Sequence, residues 1–185
     1  RESAPQALVR IVSKNRRRSG GYIVHVGMVS IFIGIAASSA FKVEVTKTLK
    51  PGESMQVGRF GLQYERVVQS EDAHVSKLAA AINVTENGTA IGTLMPEKRF
   101  YKKPKQPTTE IAKRTTLTED LYLVLGSYDD ASQIITLQAY VNPLVVWVWL
   151  GGLILVLGTG VTFWPTVAER RERVAADDGV RVAAR

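Results

Sequence analysis

Cysteine is absent from this chain, and histidine occurs twice in 185 residues. The first absence excludes disulfides, thiolate metal centres and redox thiols. The second leaves only His25 and His74 as nitrogen ligands. No glycine-rich phosphate loop, HExxH helix or G-x-S-x-G nucleophile turn occurs. Nucleotide hydrolysis, zinc proteolysis and serine hydrolysis therefore lack their residues. Formal charge is missing from two long stretches, residues 20–41 and 144–164. At about 1.5 Å of rise per residue, each is long enough to cross a hydrocarbon core of about 30 Å as a helix.

What charge there is supports that reading. The net charge of +7 could suggest nucleic acid, but its distribution argues against such a partner. Residues 1–19 hold six Lys or Arg and one acid, residues 42–142 hold thirteen and twelve, and residues 166–185 hold five and four. The excess lies beside the first apolar stretch, as in the positive-inside pattern of membrane proteins. The order expected is a cytoplasmic basic segment (1–19), a transmembrane helix (20–41), an external domain (42–142), a second transmembrane helix (143–165) and a cytoplasmic tail (166–185). Two spans return the chain to the side it started from.

Residues 1–19 combine Leu8, Val9, Ile11 and Val12 with the basic run Lys14-Asn15-Arg16-Arg17-Arg18. They read as an amphipathic juxtamembrane helix on the lipid surface. A second use for one arginine is to pair with the carboxylate of a bound ligand. The first apolar run is too long for a signal peptide, and Ala37-Ser38-Ser39-Ala40 is a weak cleavage site. The chain begins at Arg1 and reads as a processed polypeptide or a piece of a longer one. Residues 174–185 read as a frayed tail.

Inside the first span Gly20, Gly27 and Gly34 recur every seven residues, and in the second Gly151 and Gly158 do the same. Small residues in a stripe let helices approach closely, so these spans are expected to need helical partners. Trp147, Trp149 and Trp164 stand near the ends of the second span, where indoles favour the lipid boundary. His25 lies about 8 Å along the axis from Gly20. Met28, Val29 and Phe32 share its side at i+3, i+4 and i+7. An imidazole in a span is costly to leave unpaired. Two readings are open: a ligand to a flat apolar cofactor, or a histidine bonded to a neighbouring helix or reaching for the interface.

Residues 42–142 alternate in the manner of strands. Strands are expected at 42–49, 54–60, 62–68, 78–85, 89–94, 121–125 and 134–141, with turns at 50–53, around Gly61 and at 128–132. Glu86-Asn87-Gly88 is the sharpest hairpin signal, since Asn-Gly supplies the positive φ angles of a type I′ turn. Residues 95–109 hold three prolines and five basic residues and read as an extended solvated loop. The region is large enough for its own core. A small antiparallel β-domain follows, a sandwich or partly open barrel. His74 falls in its polar part, with no ligand cluster beside it, and reads as a surface residue.

The run Asn15-Arg16-Arg17-Arg18-Ser19-Gly20-Gly21-Tyr22-Ile23-Val24-His25-Val26-Gly27 resembles a segment of the CcmF family, the haem lyases of the cytochrome c maturation system. It departs from the family pattern at Ser19, where an aromatic is usual, and at Val26. Four further stretches follow in the family's order: Leu49-Lys50-Pro51-Gly52-Glu53-Ser54, Met95-Pro96-Glu97-Lys98-Arg99-Phe100-Tyr101, Asp120-Leu121-Tyr122-Leu123-Val124-Leu125-Gly126, and the start of the last span, with Asn142-Pro143 and Trp147-Val148-Trp149-Leu150-Gly151-Gly152.

The resemblance implies the C-terminal part of a larger multi-span protein of the bacterial inner membrane, with its β-domain in the periplasm. It implies that His25 is an axial ligand of a membrane haem b, the second ligand coming from the remaining N-terminal portion of the lyase. Arg16, Arg17 or Arg18, about 10–15 Å along the helix from His25, would meet the haem propionates. The implied partners are that N-terminal portion, a periplasmic haem chaperone, apocytochrome c and membrane lipid, with no nucleic acid. The family joins haem vinyl groups to the thiols of a CXXCH motif. This chain would hold no complete catalytic site, and its haem would act in electron transfer. The competing reading is a non-catalytic anchor whose β-domain docks assembly partners and which tolerates loss of His25.

Overall fold

The computed structural model describes residues 15–102 and 107–165, with residues 3, 6, 12, 175 and 176. The amphipathic reading of the N-terminal segment and the frayed tail otherwise lie outside the described residues. The chain divides into two compact units. One comprises Arg1–Phe32 with Val148–Arg185, the other Ile33–Trp147.

Helix α1 spans Arg16–Ala40 and α2 spans Val145–Phe163. Both are long and apolar enough to cross a membrane. They pack on each other through their glycines. A methyl group on Gly27 would sit 2.7 Å from the carbonyl oxygen of Gly151 and 2.7 Å from the amide nitrogen of Leu155. One on Gly151 would meet the Gly27 carbonyl at 2.6 Å and the backbone of Ile31 at 2.9 Å. Gly158 lies against Val24, and Gly20 against Thr162 and the Gly158 carbonyl. The pairs run in opposite order, so the helices are antiparallel. Gly21 and Gly152 have open space instead. The seven-residue spacing thus marks the helix–helix face, as expected.

The second unit is a sandwich with ten strands among the described residues: β1 Val43–Leu49, β2 Ser54–Val57, β3 Phe60–Glu71, β4 Val75–Glu86, β5 Thr89–Leu94, β6 Glu97–Tyr101, β7 Pro107–Glu110, β8 Ala112–Thr115, β9 Glu119–Asp129 and β10 Ile134–Pro143. One sheet has the order β1-β10-β9-β8. The other runs β2-β3-β4-β6-β7, and β5 pairs with β4 beside β6. Every pairing is antiparallel. Alternate residues of both sheets meet in one core that includes Leu49, Phe60, Leu62, Tyr64, Ile82, Val84, Leu121, Leu123, Leu125, Ile135 and Leu137. The Tyr64 hydroxyl donates to the Gln133 carbonyl at 3.0 Å. Burial first, and then Tyr128, push its pKa up.

Three strand expectations change. The β2–β3 turn falls at Gly58-Arg59, where Gly58 has φ +56°, and Gly61 lies inside β3 opposite Thr85. Residues 95–109 are not a loop throughout, because β6 pairs with β4 and β7 with β6. The prolines are compatible with this, since Pro107 opens an edge strand where its missing N–H is not needed. β8 is an additional edge strand, too polar to show the alternation of a half-buried strand. The Asn87-Gly88 turn forms as expected, with φ of 50° and 84°.

Candidate functional site

Helix α1 turns one face to α2 and leaves the opposite face open. At about 100° per residue, Arg18, Tyr22, His25, Val29 and Phe32 fall within an arc of about 80°, centred about 160–180° from Gly20 and Gly27. All five are exposed, Tyr22 by 59% and Phe32 by 63%. Met28, also exposed, flanks them.

The Nδ1 of His25 lies 2.7 Å from the carbonyl oxygen of Gly21, one turn earlier. A carbonyl can only accept. In the neutral ring the proton therefore sits on Nδ1, and Nε2 keeps its lone pair. That carbonyl fixes the tautomer and the ring orientation, as the outer partners of metal-bound histidines do. An open Nε2 on an apolar, aromatic wall fits an axial ligand to haem iron.

The three arginines separate. Arg18 donates from Nε to the Tyr22 hydroxyl at 2.9 Å, with its guanidinium 5.7 Å from the ring centroid. Arg16 points the other way, about 180° from His25. Its Nη1 donates to the Pro165 carbonyl at 3.1 Å, tying the start of α1 to the end of α2. Arg17 is exposed on the flank. Tyr22 was not singled out by the sequence reading. Its signal was its place four residues after Arg18 and three before His25.

The β-domain offers less chemistry. His74 is exposed in the β3–β4 turn, as expected, and its carbonyl accepts the Lys102 amide. Among the described residues no group of three or more His, Cys, Asp or Glu could hold a metal ion. A groove of about 500 Å³ beside β1 and β2 is lined by Lys47, Ser54, Gln56, Gln63, Asn83 and Thr85. These ammonium, amide and hydroxyl groups can bind but include no acid–base pair. Asp120 is 3% exposed and accepts the Tyr122 hydroxyl at 3.1 Å. Burial first, and then Asp120, push the Tyr122 pKa up.

Comparison with known proteins agrees with this architecture. A family model described as the CcmF C-terminal beta-sandwich matches residues 40–143. The cytochrome c-type biogenesis protein CcmF of Haemophilus influenzae is 34% identical over 78% of this chain and 22% of its own length. CcmF of Pseudomonas aeruginosa is 29% identical over 92% of the chain and 25% of its length. A solved structure titled Cytochrome c Heme Lyase CcmF superposes with a TM-score of 0.67 at 26% identity, covering 82% of this chain and 25% of that one. The chain thus spans about a quarter of the length of these relatives. With its sandwich and its two apolar helices, it belongs to the CcmF family of cytochrome c-type biogenesis proteins.

Proposed function

We propose that this chain supplies one axial ligand, Nε2 of His25, to a b-type haem on the open face of α1, within a haem lyase that attaches haem to apocytochrome c. The observation that carries the reading is the His25–Gly21 hydrogen bond, which in the neutral ring makes Nε2 the nitrogen with the lone pair. Val29 and Phe32 would line the porphyrin and exclude water, and Arg18 with Tyr22 would face a propionate at the basic end. Bound haem supplies a one-electron iron couple. The second axial ligand comes from outside this chain, whose other histidine lies in the β-domain.

The sidedness follows from charge. Residues 1–19 and 166–185 lie on the cytoplasmic side of the inner membrane, and residues 42–142 lie in the periplasm. There the β-domain would meet a haem chaperone and apocytochrome c. The optical spectrum of the complete membrane complex tests the assignment. Wild type should show a six-coordinate b-type haem, and His25→Ala should lose it together with cytochrome c maturation. Added imidazole should restore the spectrum of the alanine variant if the side chain acts as a ligand. An unchanged spectrum in His25→Ala would make the chain a scaffold.

A further inference from the structure

The register of the first sheet gathers several things at one end. Val43 pairs with Val141, and Pro143 pairs with Glu119. The strand ends that lead to Phe41 and to Leu144 therefore stand beside the connection between β8 and β9, residues 116–118. That connection is tightly made. The Thr116 amide donates to the Glu119 carbonyl at 3.0 Å, and the Glu119 amide donates to the Thr116 hydroxyl at 3.0 Å. Its tip is Leu117, which is 69% exposed. Leucine brings no turn chemistry of the kind that glycine, asparagine, aspartate or proline bring to such tips.

Two hydrogen bonds hold the tip to the beginning of α2. The Leu144 amide donates to the Thr118 carbonyl at 2.9 Å, and the Trp147 indole donates to the Leu117 carbonyl at 3.0 Å. Leu117 is thus fixed at the level of Trp147. At the same end Phe41 is 72% exposed and Trp147 is 41% exposed. A single exposed leucine needs no explanation, but three large apolar side chains at one end of one sheet do. Trp147 stands in the first turn of a helix long and apolar enough to span a bilayer, where an indole favours the headgroup level.

We infer that the 116–118 turn is a membrane-contacting foot of the β-domain. Leu117 enters the boundary between headgroups and acyl chains, flanked by Phe41 and Trp147. The partner is phospholipid, in continuity with the spans, and the inference rests on the reading that α1 and α2 cross the membrane. The foot would hold the end of the sheet that carries both helix junctions at a fixed depth.

Environment-sensitive labels test this, with any cysteine outside these 185 residues replaced by serine, since this stretch contributes no thiol. Single cysteines are placed at Leu117, at Ala131 in the β9–β10 turn, and at Ile33 and Val156 within the helices. They are labelled with bimane in the full-length protein, in phosphatidylcholine nanodiscs doped with nitroxide lipids. Leu117→Cys should lose fluorescence to a nitroxide near the headgroup, and Ala131→Cys should not. Quenching at the helical sites without quenching at Leu117 would overturn the inference and leave the spans intact. If neither helical site responds to an acyl-chain nitroxide, the spanning reading fails and this inference fails with it.

Discussion

Three consecutive arginines are interchangeable in a sequence and distinct in a helix. Each step turns the side chain by about 100°, so only Arg18 shares the stripe of His25, while Arg16 lies on the far side and already serves the Pro165 carbonyl. A cation near a haem propionate favours the more negative, reduced state. On the proposed haem site, Arg18→Gln should therefore lower the midpoint potential of the bound haem by on the order of tens of millivolts. Arg16→Gln should leave the potential in place and loosen the end of α2 instead. Spectroelectrochemical titration of both variants separates them, and equal shifts would remove the special role of Arg18. The candidate ligand was legible in the sequence, because an imidazole inside an uncharged stretch is conspicuous. Which arginine shares the open face of His25 was not. It depends on which face of α1 the partner helix takes, and that is a property of the pair.

At the scale of elements the glycine stripes carry the testable content. Gly27 and Gly151 stand carbonyl to backbone across the helix pair, and neither leaves room for a methyl group. Gly27→Ala must push backbone against backbone, an overpacking that typically costs about 1–3 kcal/mol. Gly21→Ala meets open space and should be close to neutral. Thermal unfolding of the detergent-solubilised protein would read the approach. The midpoint should fall in Gly27→Ala and hold in Gly21→Ala. The strands show why some elements are legible in a sequence and others are not. β4 and β5 announced themselves by Asn87-Gly88, a local signal that needs no tertiary context. β6 and β7 hid behind lysines and prolines. Lys98 reads as a solvated charge in the sequence, yet its ammonium folds onto the Gly126 carbonyl, on a strand of the other sheet. Gly61 looked like a turn and is a strand position facing Thr85.

The whole molecule joins two units with different solvents. The helices bury their glycine faces against each other and leave apolar surface that only lipid or further protein can cover. The β-domain closes its own core with side chains from both sheets. Polar links add to that closure: Arg59 in the β2–β3 turn bonds Glu86 at 3.1 Å and Glu119 at 2.6 Å, one on each sheet. Its outer strands also carry the features that deter edge-to-edge pairing. β7 opens on Pro107, β8 carries Lys113 and Arg114, and β1 carries Glu44 and Lys47. Residues 42–143 expressed alone should therefore fold in water, with dispersed amide resonances and one cooperative thermal transition. The Leu144 and Trp147 links would be missing, so disorder should be confined to the turn at 116–118. An undispersed spectrum would mean that the sandwich depends on its helices for stability. A folded domain would locate the dependence on the rest of the protein in the helix pair, whose open face bears His25.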